Sequence, residues 1–132
     1  MTTETPDFND QSEQQNTGKA INLKLLSDLV QGNKTKLNKY IEIYLRNVPD
    51  AVERIKKALE AKDYEALHKH IHAFKPQVKM MGIVKLNGFI DTLEKDLKEQ
   101  TNLESIRERT TFTINSIEES VEILNEILNQ TD

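Results

Sequence analysis

The sequence predicts an all-α fold, an antiparallel four-helix bundle with a short additional helix at its N-terminal end. Apolar residues recur at three- and four-residue steps along most of the chain, the spacing of a helix face turned to a core. No segment alternates at the two-residue period of a half-buried strand. Aromatic residues make up 5% and Trp is absent, so the core must be built from Leu, Ile and Val. That composition suits helices packed through aliphatic stripes better than aromatic-rich strands. With 132 residues and no internal repeat, the chain is expected to fold around one core.

Residues 1–19 are polar and acidic, with Glu4, Asp7, Asp10 and Glu13 and a single large apolar residue, Phe8. They hold too little apolar surface to offset the entropy of ordering, so a disordered acidic tail is expected there, followed by the bundle over 20–130. Asn22 is placed to cap a short first helix carrying Leu23, Leu25, Leu26, Leu29 and Val30, which stops at Gln31-Gly32. From about Asn33 to Ala61, Leu37, Ile41, Tyr44, Leu45, Val48, Val52, Ile55 and Leu59 keep one phase through Pro49. This predicts a single kinked helix rather than two. Asp63 caps the next, with Glu65 in its acid-favouring first turn. Leu67, Ile71, Phe74, Val78 and Met81 form its stripe, and Gly82 ends it in the left-handed conformation. A fourth helix is expected from Val84 to Gln100, burying Leu86, Ile90, Leu93 and Leu97. Thr101-x-x-Glu104 has the form of a capping box opening the last helix, whose stripe is Ile106, Ile114, Ile117, Val121, Leu124 and Leu128.

Composition removes several functional classes. The net charge is −4 and the basic residues are scattered, which disfavours nucleic-acid binding. There is no cysteine, hence no disulfide, thiol chemistry or cysteine-ligated zinc. Neither a secretory leader nor an apolar run approaching the ~18 residues of a membrane span is present, so a cytoplasmic location away from membranes is expected. No Ser-His-Asp ordering, glycine-rich phosphate loop or HExxH motif suggests a hydrolase or a kinase.

The third helix holds all three histidines of the chain. At about 100° per residue, His68, His72, Lys75 and Lys79 share one flank of it, while His70 falls on the opposite border. A neutral imidazole is a good nucleophile near pH 7, since its ordinary pKa is about 6.5. If it takes up a phosphoryl group, the resulting dianion calls for cations, and Lys75 and Lys79 lie one and two turns along. The bland alternative is a solvated helix face. A metal reading is also conceivable, because His68 and His72 are four residues apart and Glu65-x-x-His68 is half of a di-iron carboxylate pattern. No histidine exists elsewhere to complete that pattern, and adjacent lysines repel a cation. No metal site is therefore expected.

Asp63, Tyr64, His72, Lys75 and Gly82, in this spacing, resemble the signature helix of the histidine phosphotransfer (HPt) family. In that family the active histidine is followed by Lys at the third position and Gly at the fourth and tenth, and is preceded by Asp nine residues earlier. The resemblance extends over 21–129 and includes the Leu93-Glu94 pair. It implies a phosphoryl carrier rather than an enzyme, with His72 as phosphoacceptor, Lys75 and Lys79 stabilising the phosphoryl charge, and His68 and Gln77 as accessory groups. The implied partners are receiver domains of a hybrid sensor histidine kinase or a response regulator, with Mg²⁺ on the receiver and no cofactor on this chain.

One departure is Pro76, where the family usually has Gly. Family resemblance implies that this position stays small so that a receiver can approach. Proline is compact, but it withholds the N–H that would bond the His72 carbonyl, at about 3 kcal/mol in a helix interior. It either merely bends or ends the helix, or exposes His72. A receiver-docking module without phosphoryl transfer is the alternative that Pro76 keeps open.

Overall fold

A computed structural model describes residues 20–130 of the chain. The expected tail over 1–19 lies outside the described residues. Among the described residues five helices follow in order: α1 (Lys24–Leu29), α2 (Lys34–Glu60), α3 (Tyr64–Met80), α4 (Phe89–Glu99) and α5 (Ile106–Asn129), with 3₁₀ turns at Val84–Leu86 and Leu103–Ser105. The long helices pack in a closed ring, α2 on α3, α3 on α4, α4 on α5 and α5 back on α2. The all-α bundle with a short leading helix is the fold expected from the apolar spacing.

The stripes meet inside. Ile41, Tyr44, Val48, Val52 and Ile55 of α2 face Leu67, Ile71, Phe74 and Val78 of α3, and Ile90, Leu93, Leu97, Ile114, Ile117 and Leu124 complete the core. Each fully buried aliphatic side chain contributes about 1.5–3 kcal/mol, so the rotation of α3 about its axis is set by its own sequence. Tyr44 reinforces that setting. Its ring stacks on Phe74 at 5.6 Å, and its hydroxyl meets Ser120 Oγ of α5 at 2.9 Å. Burial pushes the Tyr44 phenol up to about 12, only partly offset by the Ser120 hydrogen bond.

The two prolines among the described residues lie inside helices without breaking them, Pro49 in α2 and Pro76 in α3. Of the sequence readings of Pro76, the one in which it ends the helix is ruled out: α3 runs on to Met80. Asp63 caps as expected, accepting from Ala66 N at 3.1 Å, and Asn33 caps α2 in the same way, accepting from Lys36 N at 3.0 Å.

Two expectations need correction. The helix predicted from Val84 is split, because Asn87 is extended and Gly88 takes φ +79°, so α4 starts at Phe89. The Thr101 capping box does not form either. Asn102 takes φ 54° and a 3₁₀ turn intervenes, while the Thr101 hydroxyl donates to Asp96 Oδ1 at 2.9 Å. Asp96, buried, is also paired with Arg109 at 2.9 Å.

Gly82 does end α3 in the left-handed region, at φ +63°. It has a second reason to be glycine. Ile21 and Ile83 form an antiparallel bridge, with Asn22 N donating to Gly82 O at 2.8 Å and Val84 N to Ala20 O at 3.0 Å. The chain before α1 is thereby fastened to the C-terminal end of α3.

Candidate functional site

Because Leu67, Ile71, Phe74 and Val78 hold α3 by its buried side, the flank carrying His68, His72, Lys75 and Lys79 turns toward α4. The α4 residues that meet it are Asp91 and Glu94. Glu94 is central: Oε2 is hydrogen-bonded to His72 Nδ1 and lies 3.5 Å from His68 Nε2, and Oε1 is 2.5 Å from Lys75 Nζ. Asp91 takes Lys75 on Oδ1 at 3.0 Å and Lys79 on Oδ2 at 2.8 Å. The rings of His68 and His72 stack with centroids 5.9 Å apart.

Burial alone would push the Glu94 carboxyl up, but the hydrogen bonds from Lys75 and His72 outweigh it and hold the group below the usual carboxylate range. Asp91 is likewise held down, first by Lys79 and then by Lys75. Lys75 is pushed up, chiefly by its bond to Glu94 and next by Asp91. An ionised carboxylate can only accept, so in the bond to Glu94 it is His72 Nδ1 that carries the hydrogen. The lone pair of the neutral ring is then on Nε2. The His72 side chain is 66% exposed, against 12% for Glu94 and 26% for His68. One nitrogen is anchored while the ring stands in solvent. The Nε2 of His68 is buried without a hydrogen-bond partner, a condition that costs about 1–3 kcal/mol.

Gln77 is not brought to this cluster. Five residues after His72, it stands about 140° around the helix, and its Oε1 accepts from Asn47 Nδ2 of α2 at 3.1 Å. Helix phase thus turns Gln77, expected as an accessory to the phosphoryl group, toward α2 and away from the cluster. It shares a groove with His70, Ala73 and Arg54 on the far flank. Pro76 is exposed beside the site, and having no N–H it offers none to the His72 carbonyl. Among the described residues, no group of three or more His, Asp or Glu side chains is placed to hold a metal ion.

A family model for the Hpt domain matches residues 39–129. The chain belongs to the Hpt domain family. The fold agrees with a solved structure, the crystal structure of the HPT domain from the Hpt sensor hybrid histidine kinase from Shewanella. That chain is 18% identical, covers 86% of this one and is 97% covered in return, at a TM-score of 0.76. No curated protein matches the chain. Membership in the Hpt family implies histidine phosphotransfer in a phosphorelay, in which such domains are carriers that interact with receiver domains. Among the described residues, no helix is long and apolar enough to cross a membrane.

Within this Hpt domain, sequence reasoning missed Asp91 altogether and quoted Glu94 only as part of a family pair. A signal was available. Asp91, Glu94 and Lys98 recur at helical spacing on the polar side of the Ile90–Leu93–Leu97 stripe. What the sequence withheld is which neighbouring helix that side would face.

Proposed function

We propose that this Hpt domain carries a phosphoryl group on Nε2 of His72, receiving it from the aspartyl phosphate of one receiver domain and passing it to the aspartate of another. The observation that carries the reading is the anchored yet exposed imidazole: Glu94 accepts from Nδ1 and the opposite nitrogen is left free toward solvent. In the forward step the Nε2 lone pair attacks phosphorus and the P–O bond of the acyl phosphate breaks. The electron pair leaves with the receiver's carboxylate, and the Nδ1–H bond to Glu94 steadies the positive charge that develops on the ring. Lys75 and Lys79 are within a turn or two of that nitrogen, and each can swing one ammonium from its α4 carboxylate to the phosphoryl oxygens. Mg²⁺ is supplied by the receiver. The partners are receiver domains of a hybrid sensor kinase or a response regulator, and the setting is cytoplasmic.

Pro76 is compact and exposed one turn beyond His72, α3 continues past it to Met80, and the His72 side chain beside it stays largely exposed. The test is transfer from a panel of phosphorylated receiver domains to the wild-type chain and to His72→Ala. Acid-labile, alkali-stable label on the wild type that is absent from the variant is the expected result. Receiver binding with no label on either protein would sink the carrier reading in favour of a docking module.

A further inference from the structure

We infer that His68 is a positioning residue, which takes up a proton when His72 is loaded and so replaces Lys75 as the counter-charge of Glu94. This rests on the reading of His72 as phosphoacceptor. In the unloaded chain the cluster is balanced, with the carboxylates of Asp91 and Glu94 against the ammonium groups of Lys75 and Lys79. A phosphoryl group brings close to two negative charges and no cation of its own. Lys75 is the nearest cation along the helix, yet as it turns to the phosphoryl oxygens it leaves Oε1 of Glu94. That carboxylate is only 12% exposed, too little for water to take over its solvation.

His68 is already in place to do so. Its Nε2 is buried, without a hydrogen-bond partner, 3.5 Å from Oε2 of Glu94. Its ring is held against that of His72. A buried nitrogen left idle in one state finds its use if the bond is made in the other. One proton from solvent makes the His68 ring cationic, with N–H on both nitrogens, and Nε2–H donates to Glu94. Meanwhile the P–N bond to His72 has formed, and the proton on His72 Nδ1 has not moved. The charged groups around His68 are Glu94 from α4, with Asp91 behind it, and Lys75 and His72 from its own helix. No other element gives His68 an ion pair among the described residues.

The consequence is proton-linked loading. The whole chain, loaded with phosphoramidate as a small phosphoryl donor, is compared at pH 7 with the unloaded chain by nitrogen–proton correlation spectra of the three histidine rings. On loading, His68 is expected to acquire the imidazolium signature, while His70 keeps its own. Glu94→Gln should remove the His68 response. At fixed donor, the ratio of loaded to unloaded chain should fall more steeply with rising pH in wild type than in His68→Gln, by up to about tenfold per pH unit, the limit for one linked proton. A His68 ring that stays neutral in the loaded chain, or identical pH profiles for wild type and His68→Gln, would overturn the role of His68 and leave that of His72 standing. A chain that takes no label on His72 would overturn both. The ring spectra need only the wild type, so the proposal remains open to refutation even if His68→Gln misfolds.

Discussion

Replacing Gly82 by Ala should cost the fold far more than the same change at Gly32, although both glycines take positive φ, +63° and +74°. The left-handed backbone alone penalises an L side chain by about 1–2 kcal/mol, and that cost is common to the two sites. At Gly32 a new Cβ meets nothing within 4 Å. At Gly82 it would lie 1.8 Å from the carbonyl oxygen of Asn22 and 2.7 Å from its carbon. These are backbone atoms, so no rotamer change relieves the clash and the two strands must part. Parting them breaks the bonds from Asn22 N to Gly82 O and from Val84 N to Ala20 O, each contributing about 0.5–1.5 kcal/mol. Gly82→Ala is therefore expected to lose about 2–5 kcal/mol in all and Gly32→Ala about 1–2. Urea unfolding followed by circular dichroism measures both, the comparison being made at a shared m-value. Equal midpoints for the two variants would refute the close-approach argument and leave backbone conformation as the only constraint on Gly82.

Other expectations concern the site. His72→Ala should lose the label entirely, whereas His70→Ala, altered on the far flank, should take it at the wild-type rate; loss of label in the His70 variant would move the phosphoacceptor. Lys75→Ala should slow receiver-to-histidine transfer about 10–100-fold, the equivalent of one charge-assisted hydrogen bond, and an unchanged rate in rapid-quench measurements would remove Lys75 from the mechanism. Acid should unfold the chain through its paired carboxylates. Asp91, Glu94 and Asp96 are all held below their ordinary values, so the stability they add is fully present above those values, near pH 4 and higher, and drains away as pH falls through their lowered folded-state values. Asp96→Asn, which removes the carboxylate tied to Thr101 and Arg109, should flatten that acid limb in a pH series of urea midpoints.

Much of the fold was legible because one apolar period runs through each helix, and the stripe of α3 also fixed the flank on which His68, His72, Lys75 and Lys79 lie. The break before α4 was missed although Asn87-Gly88 is a turn-forming pair, since the apolar phase of Leu86 and Ile90 carries across it. The capping box was misjudged because Thr101 found a better partner in Asp96, a contact that depends on the left-handed turn at Asn102. The lysines were read from the sequence as spare cations. Their pairing with Asp91 and Glu94 arises only when two helices are laid side by side at a definite height, and a single sequence does not state that height. That Gln77 turns away from this flank, by contrast, could have been read by counting degrees around α3.

The same pairing shapes how a partner arrives. Two ammonium groups interleaved with two carboxylates have no net monopole, so their field dies away within a few ångströms of the surface, well inside the ~8 Å screening length of physiological salt. A phosphorylated receiver approaching this face is not drawn in from afar. This face adds little steering of its own, so the ionic-strength dependence of association should come from the chain's net charge of −4 rather than from the site, which leaves the choice of partner to shape and contact after collision.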